Sequence, residues 1–173
     1  MPDGYCALLY AGVAGRDSAA LDEVEVSKRG TWQEYLPYLA FGTALVATLG
    51  SLYYSEIVGF IPCTLCWYQR ILMYPLILIT LVGILTRDER LPYYVLPLSA
   101  IGLGFSIYHY LIQVGVIEHT GFCAVGVPCN ARYVNYFGFV TIPFMAGTAF
   151  AIIVVSMALA WRASARDLEA GLA

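Results

Sequence analysis

"ILMYPLILITLVGIL", residues 71–85, carries no charged side chain and shows no polar face. A soluble helix of this length keeps one side hydrophilic, and this one does not. Extended to about Trp67–Thr86, the stretch holds roughly 20 residues, enough at ~1.5 Å per residue to cross a ~30 Å hydrocarbon core. Three more stretches read the same way, at about 35–55, 91–116 and 136–161. Lipid cannot hydrogen-bond a bare backbone, and no alternation of apolar and polar residues points to a barrel, so each stretch is expected to be a helix.

The composition agrees. Of 173 residues, 60% are hydrophobic and 12% charged, with a mean hydropathy of +0.72. These values describe an integral membrane protein whose surroundings are lipid. The formal net charge of −3 is too small to suggest a nucleic-acid partner. Trp32, Tyr35, Tyr53, Tyr54, Trp67, Tyr93, Tyr94, Tyr136 and Trp161 cluster near the span ends, as interfacial aromatic belts do. Pro37, Pro62 and Pro92 fall at or just before helix starts, where a missing N–H costs nothing. The expected fold is an all-α membrane protein, a four-transmembrane-helix bundle with two short external cysteine-bearing loops. Its organisation is a polar N-terminal tail (1–34), a membrane domain (35–161) and a C-terminal tail (162–173).

The N-terminal tail contains "YCALLYAGVAG", a short apolar run ending in small residues. It lacks the basic flank of a secretory signal and is expected to be retained, with Cys6 an inert thiol.

Just upstream of the opening stretch lies "FIPCTLCWYQR", residues 60–70. Its cysteines, Cys63 and Cys66, are spaced so that with Arg70 they fall on one helical stripe. Pro62 suits a helix start, and the positive end of a helix dipole, with Arg70 beside it, favours a thiolate. A second pair, Cys123 and Cys129, lies in "CAVGVPC" between the third and fourth spans. Two crossings separate the loops carrying these pairs, so both lie on one side of the membrane. Seven basic residues (Arg16, Lys28, Arg29, Arg87, Arg90, Arg162, Arg166) fall in the tails and the middle loop, and two (Arg70, Arg132) on the cysteine side. Positive charge marks the cytoplasmic face, so both termini are expected inside and the cysteine loops outside the cell membrane, where disulfides persist.

Three readings of the cysteines stay open on residues alone. They could be redox-active, or inert disulfide staples, or half of a zinc site completed by Cys123, Cys129 or His119. His109, in "SIYHYLIQ" toward the outer end of the third span, reads either as an interfacial histidine bonded to a neighbour or as a proton donor.

Together "GSLYYSEIVGFIPCTLCWYQRILMYPL", "SIYHYLIQ", "CAVGVPC" and "YVNYFGFVTIPF" resemble the DsbB/BdbC family of membrane thiol oxidases, most of all its short BdbC-type branch. The likeness runs from residue 36 to about 160, and the long N-terminal tail has no counterpart in it. The resemblance implies an enzyme, a thiol:quinone oxidoreductase. It would reoxidise an extracytoplasmic thioredoxin-fold partner of the DsbA/BdbD type and pass electrons to ubiquinone or menaquinone. It further implies that Cys123 and Cys129 exchange with the partner, that Cys63 and Cys66 form the quinone-proximal pair with Cys66 nearest the ring, and that Arg70 and His109 belong to the quinone site. No resident metal is expected. Vitamin K epoxide reductases are a second family of four-helix quinone enzymes, but their Cys-x-x-Cys follows the loop pair instead of preceding it. A disulfide-stapled scaffold without quinone chemistry is the remaining alternative.

Overall fold

The structure, a computed structural model, describes residues 34–117, 128–130, 133–135 and 137–171, with side chains as far as residue 166. It contains four long helices: α1 (Glu34–Ile57), α2 (Thr64–Thr86), α3 (Leu91–Val114) and α4 (Ile142–Gly171). Each carries a stretch of 23 to 25 residues long and apolar enough to cross a membrane. The chain is a multi-pass, all-α membrane protein.

Local backbone chemistry moves several of the expected boundaries. α2 begins at Thr64, not Trp67, because Cys63 adopts extended angles (φ −72°, ψ 170°) and serves as its N-cap residue. Pro62 therefore stands just outside the helix. α3 ends at Val114, not Val116, where Gly115 turns left-handed (φ 85°) and returns its N–H to Leu111 and Ile112. α4 begins at Ile142, six residues after Tyr136. Phe137 (φ 55°) and Gly138 (φ 84°) occupy the left-handed region, which a right-handed helix cannot contain. At its other end α4 continues through Trp161 to Gly171, so the expected start of a C-terminal tail at residue 162 falls inside a helix. The N-terminal tail, including Cys6, lies outside the described residues.

α3 packs against both α2 and α4. The main core joins Ala40 and Ala44 of α1, Met73 and Leu76 of α2, Leu91 and Val95 of α3, and Phe150, Ile153 and Met157 of α4. Close approach depends on small residues, as is usual between membrane helices. A Cβ on Gly102 would run into the Phe150 ring, and one on Gly83 into Leu91. Thr80, Ser99 and Ser106 are buried but direct their hydroxyls to carbonyls of their own helices, so they leave no unmet polar group in the core. Outward-facing Val46, Leu78 and Leu85 are exposed, as lipid-facing residues must be.

A smaller cluster of Cys63, Leu65, Ile112 and Cys129 lies at the opposite end of the bundle from the α2–α3 turn. It pins the cysteines between the start of α2 and the end of α3.

Candidate active site

At the mouth of α2 the Cys63 and Cys66 sulfurs lie 3.1 Å apart, both as free thiols. Their surroundings differ. Cys63 is buried and faces α3, with its sulfur 3.7 Å from His109 Nε2. The same His109 nitrogen lies 3.1 Å from the backbone oxygen of Cys129, and Nδ1 lies 3.3 Å from the Gln69 side-chain nitrogen. A carbonyl can only accept, so Nε2 carries the ring proton and Nδ1 accepts from the Gln69 amide. His109 thus donates toward both Cys63 and Cys129.

Cys63 sits at a helix mouth just outside the membrane-spanning segment. The Cys66 thiol directed at it holds its own thiol well below the ordinary range. Burial opposes this effect, and the nearby His109 reinforces it. Either sulfur could donate in principle. Because His109 already presents a donor to Cys63, the donating role falls to Cys66.

Cys129 is buried and disulfide-bonded. Its bond partner is neither Cys63 nor Cys66, since both are free. Cys123, His119 and Arg132 lie outside the described residues.

Cys66 packs against the cluster that holds Cys63 and Cys129, and it also reaches a larger space. With Gln69, Arg70, Met73 and Tyr74 it forms the α2 wall of a groove of about 170 Å³. α1 contributes Ala47, Gly50, Ser51 and Tyr54 to the opposite wall, and Met145, Ala146 and Phe150 of α4 also line it. Tyr54 stacks on Phe60 and Phe60 on Tyr133 (centroids 5.9 and 4.9 Å apart), forming an aromatic column along the groove. The walls are almost wholly apolar apart from Arg70, Gln69 and a few hydroxyls.

Arg70 is held from both sides. Its Nη2 donates to the Ser51 carbonyl at 3.1 Å, and its guanidinium lies 5.7 Å from the Trp67 ring centroid. Ser51 precedes a widened π-type turn, Tyr53–Ile57, that ends α1. Such turns recur at functional sites, and the negative end of a helix favours a cation there. Arg70 makes no ion pair among the described residues, so its charge remains available to a ligand.

The expected site residues therefore separate into two groups. Cys66 and Arg70 share the groove. His109 does not line it. It lies on the far side of Cys63 beside a space of only about 20 Å³ that it shares with both cysteines, Gln113 and Pro143. Helical spacing could place Cys63, Cys66 and Arg70 on one stripe, but it could not show which helix covers which end of that stripe. Gln69 went unnoticed in the sequence, although a buried amide inside a span signals a polar partner. Tyr54 and Phe60 lie close in the chain, the Phe60 N–H bonding the Tyr54 carbonyl at 2.9 Å, but nothing local pointed to Tyr133 as their neighbour.

The Cys63 and Cys66 sulfurs and a His109 ring nitrogen lie within 4.8 Å of one another, a donor set that a soft cation could use. His109 takes the place that the zinc alternative gave to His119, Cys123 or Cys129, and disulfide-bonded Cys129 has no thiolate to offer.

A model of the family described as "Disulfide bond formation protein DsbB" matches residues 33–161. The chain is 53% identical over 124 residues to disulfide bond formation protein C of Bacillus subtilis (strain 168), covering 70% of this chain and 89% of the relative. It is 50% identical over 135 residues to a probable disulfide formation protein of Oceanobacillus iheyensis, covering 77% and 93%. A probable disulfide formation protein C of Halalkalibacterium halodurans is 56% identical over 114 residues, covering 65% and 83%. No solved structure matches the chain.

Proposed function

Since the chain belongs to the DsbB family of disulfide bond formation proteins and is a disulfide-generating membrane oxidoreductase, we propose that it reoxidises an extracytoplasmic thioredoxin-fold oxidoreductase and delivers the electrons to a membrane quinone. The observation that carries this reading is the division of the Cys63–Cys66 pair. Cys63 and Cys66 both pack in the cluster with Cys129, but of the two only Cys66 also opens onto an apolar groove beside Arg70, which makes no ion pair among the described residues.

In this reading the partner's thiolate attacks the Cys123–Cys129 disulfide at Cys123, because Cys129 is buried. The partner's second thiol then resolves the mixed disulfide, so the partner leaves oxidised and Cys123 and Cys129 hold two thiols. Those thiols reduce the Cys63–Cys66 disulfide and re-form their own bond. The short path from Cys129 to Cys63, bridged by His109, suits that exchange. His109 accordingly serves thiol exchange, donating Nε2–H to the Cys63 sulfur as it becomes a thiolate.

When bound, the quinone supplies an acceptor for the two electrons and two protons released as Cys63 and Cys66 re-form their disulfide. The groove fits such a group, being almost wholly apolar and bordered by Arg70, which makes no ion pair among the described residues. Arg70 would hold a ring oxygen and favour negative charge there. The donors do not distinguish ubiquinone from menaquinone.

The basic-residue bias supports an orientation with both termini cytoplasmic and the cysteine loops outside. The order of the motifs, with Cys-x-x-Cys before the loop pair, speaks against a vitamin K epoxide reductase-like enzyme.

The test mixes the purified chain with a reduced thioredoxin-fold oxidoreductase and a quinone, and follows quinone reduction by absorbance. Cys129→Ser is expected to accumulate a mixed disulfide through Cys123. Absence of quinone reduction, or capture of the partner at Cys63 when all four cysteines are present, overturns the scheme.

A further inference from the structure

Cys63 and Cys66 at the start of α2 and His109 on α3 offer three metal-ligating atoms that lie within 4.8 Å of one another. In the electron-transfer scheme they act as separate groups, but their spacing also matches a coordination sphere. A tetrahedral Zn2+ with bonds of ~2.3 Å to sulfur and ~2.0–2.1 Å to imidazole nitrogen sets S···N at about 3.6 Å and S···S at about 3.8 Å. The Cys63 sulfur stands 3.7 Å from His109 Nε2, and the two sulfurs lie 3.1 Å apart. Only the sulfurs have to part, by about 0.7 Å on that geometry. Cys66 borders the groove and has room to move. The backbone oxygen of Cys129, 3.1 Å from the same nitrogen, stands beside the ion position as a fourth donor.

We propose that the reduced Cys63–Cys66 pair and His109 form a capture site for a thiophilic d10 cation, Zn2+ above all, whose occupation stops electron delivery. The site rests on geometry alone, and the inhibition rests on the reading that these thiols pass electrons to a quinone. Zn2+ displaces the two thiol protons, so two protons are released, no electron moves, and two thiolates balance the charge of the ion. With both sulfurs bound to the ion no sulfur–sulfur bond forms, and the pair gives nothing to an acceptor. Nε2 has to shed its proton to ligate, and the ring has a place for it. The proton moves to Nδ1, which lies 3.3 Å from the Gln69 side-chain nitrogen, and a half-turn of that amide presents its oxygen as the acceptor. Such outer partners fix the tautomer and orientation of a ligating imidazole. The oxidised pair has no thiolate to offer, so the site exists in one redox state only.

The test titrates the reduced full chain in detergent with Zn2+ against a chromophoric chelator. It is repeated with Co2+, whose thiolate charge-transfer absorption reports sulfur ligation. One ion per chain is expected in Cys6→Ala/Cys123→Ala/Cys129→Ala, where Cys63 and Cys66 are the only thiols left. In the parent, Cys63→Ser should remove one bound ion per chain, which decides the matter if the triple variant does not fold. Gln69→Leu should weaken binding about ten- to a hundredfold, the usual effect of losing an outer partner. His109→Leu should weaken it at least as much, and the chain with Cys63 and Cys66 oxidised to a disulfide should bind none at this site. An ion count unchanged by Cys63→Ser, or equal Zn2+ affinity with and without the His109 ring, would overturn the three-donor site. Zn2+ should also slow quinone reduction, with recovery on adding EDTA. Unslowed reduction with the ion bound would overturn the inhibition. No quinone reduction in the absence of Zn2+ would overturn the quinone reading and leave the metal site standing.

Discussion

Cys63 and Cys66 are separated by one helical turn, and while both border a small closed space, Cys66 alone of the two also borders a larger groove. On the Cys63 side the packing is tight and polar, with His109, Gln69 and the Cys129 backbone joined by hydrogen bonds around a space of about 20 Å³. On the Cys66 side an apolar groove of about 170 Å³ lies beside Arg70. A closed, hydrogen-bonded region holds protein groups in register for exchange between sulfurs. An open, apolar region with one cation admits a lipid-soluble ring and supports charge on it. A single pair of thiols bordering both can pass electrons from protein to membrane without either region doing the other's chemistry.

If the two sides are functionally separate, substitutions on each should fail in different assays. The largest effect is expected from Cys66→Ser. Steady-state quinone reduction should be abolished, while a single-turnover assay should still oxidise one equivalent of reduced partner through Cys123 and Cys129. Loss of that first turnover would contradict the separation.

Arg70→Ala should come next. It removes a charge-assisted hydrogen bond worth about 1.5–3 kcal/mol, so KM for quinone should rise roughly ten- to a hundredfold. Single-turnover oxidation of the partner should be unaffected. Arg70→Lys should recover only part of the loss, since an ammonium lacks the planar fork that spans Ser51 and a ligand. An unchanged dependence of rate on quinone concentration in Arg70→Ala would remove Arg70 from the site.

The Cys63 side can be probed by pH. Cys63 is held below the ordinary thiol range, so its thiolate should persist, and react with iodoacetamide, as pH falls past the point where a free thiol becomes protonated. His109→Leu removes a donor to that sulfur and should move the alkylation midpoint to higher pH, slowing exchange between the pairs several-fold. His109→Gln places an amide nitrogen near the Nε2 position and should restore much of the profile. KM for quinone should stay nearly constant in both, because His109 does not line the groove.

The smallest effect on chemistry is expected from Gly102→Ala. Its new methyl collides with Phe150, which is fully buried and also lines the groove. Overpacking of this kind costs about 1–3 kcal/mol, visible as a lower melting temperature. Quinone KM should shift only modestly through displacement of the ring, and partner oxidation should not change.

Much of this protein was legible in one dimension. Four uncharged or nearly uncharged runs of about 20 residues are enough to require four membrane helices, because backbone satisfaction in lipid is a local matter settled within each segment. The Cys-x-x-Cys at a helix mouth, the arginine one turn on and the second cysteine pair were legible for the same reason, since their spacing is measured along the chain. Boundaries were less so. Phe137 and Gly138 delay the fourth helix by adopting left-handed angles, a choice that a phenylalanine does not announce in sequence.

Packing decided what spacing could not. Whether His109 would line the groove or face a sulfur depended on how the helices pack, through contacts far from position 109 such as Gly83 against Leu91 and Gly102 against Phe150. The tertiary structure turned His109 toward Cys63 and Cys129, joined Gln69 to it, and brought Tyr133 onto the nearby pair Tyr54 and Phe60 to make one column. Segments distant along the chain meet only when the helices pack, so the division of one cysteine pair between two environments is a property of the bundle and of no single stretch within it.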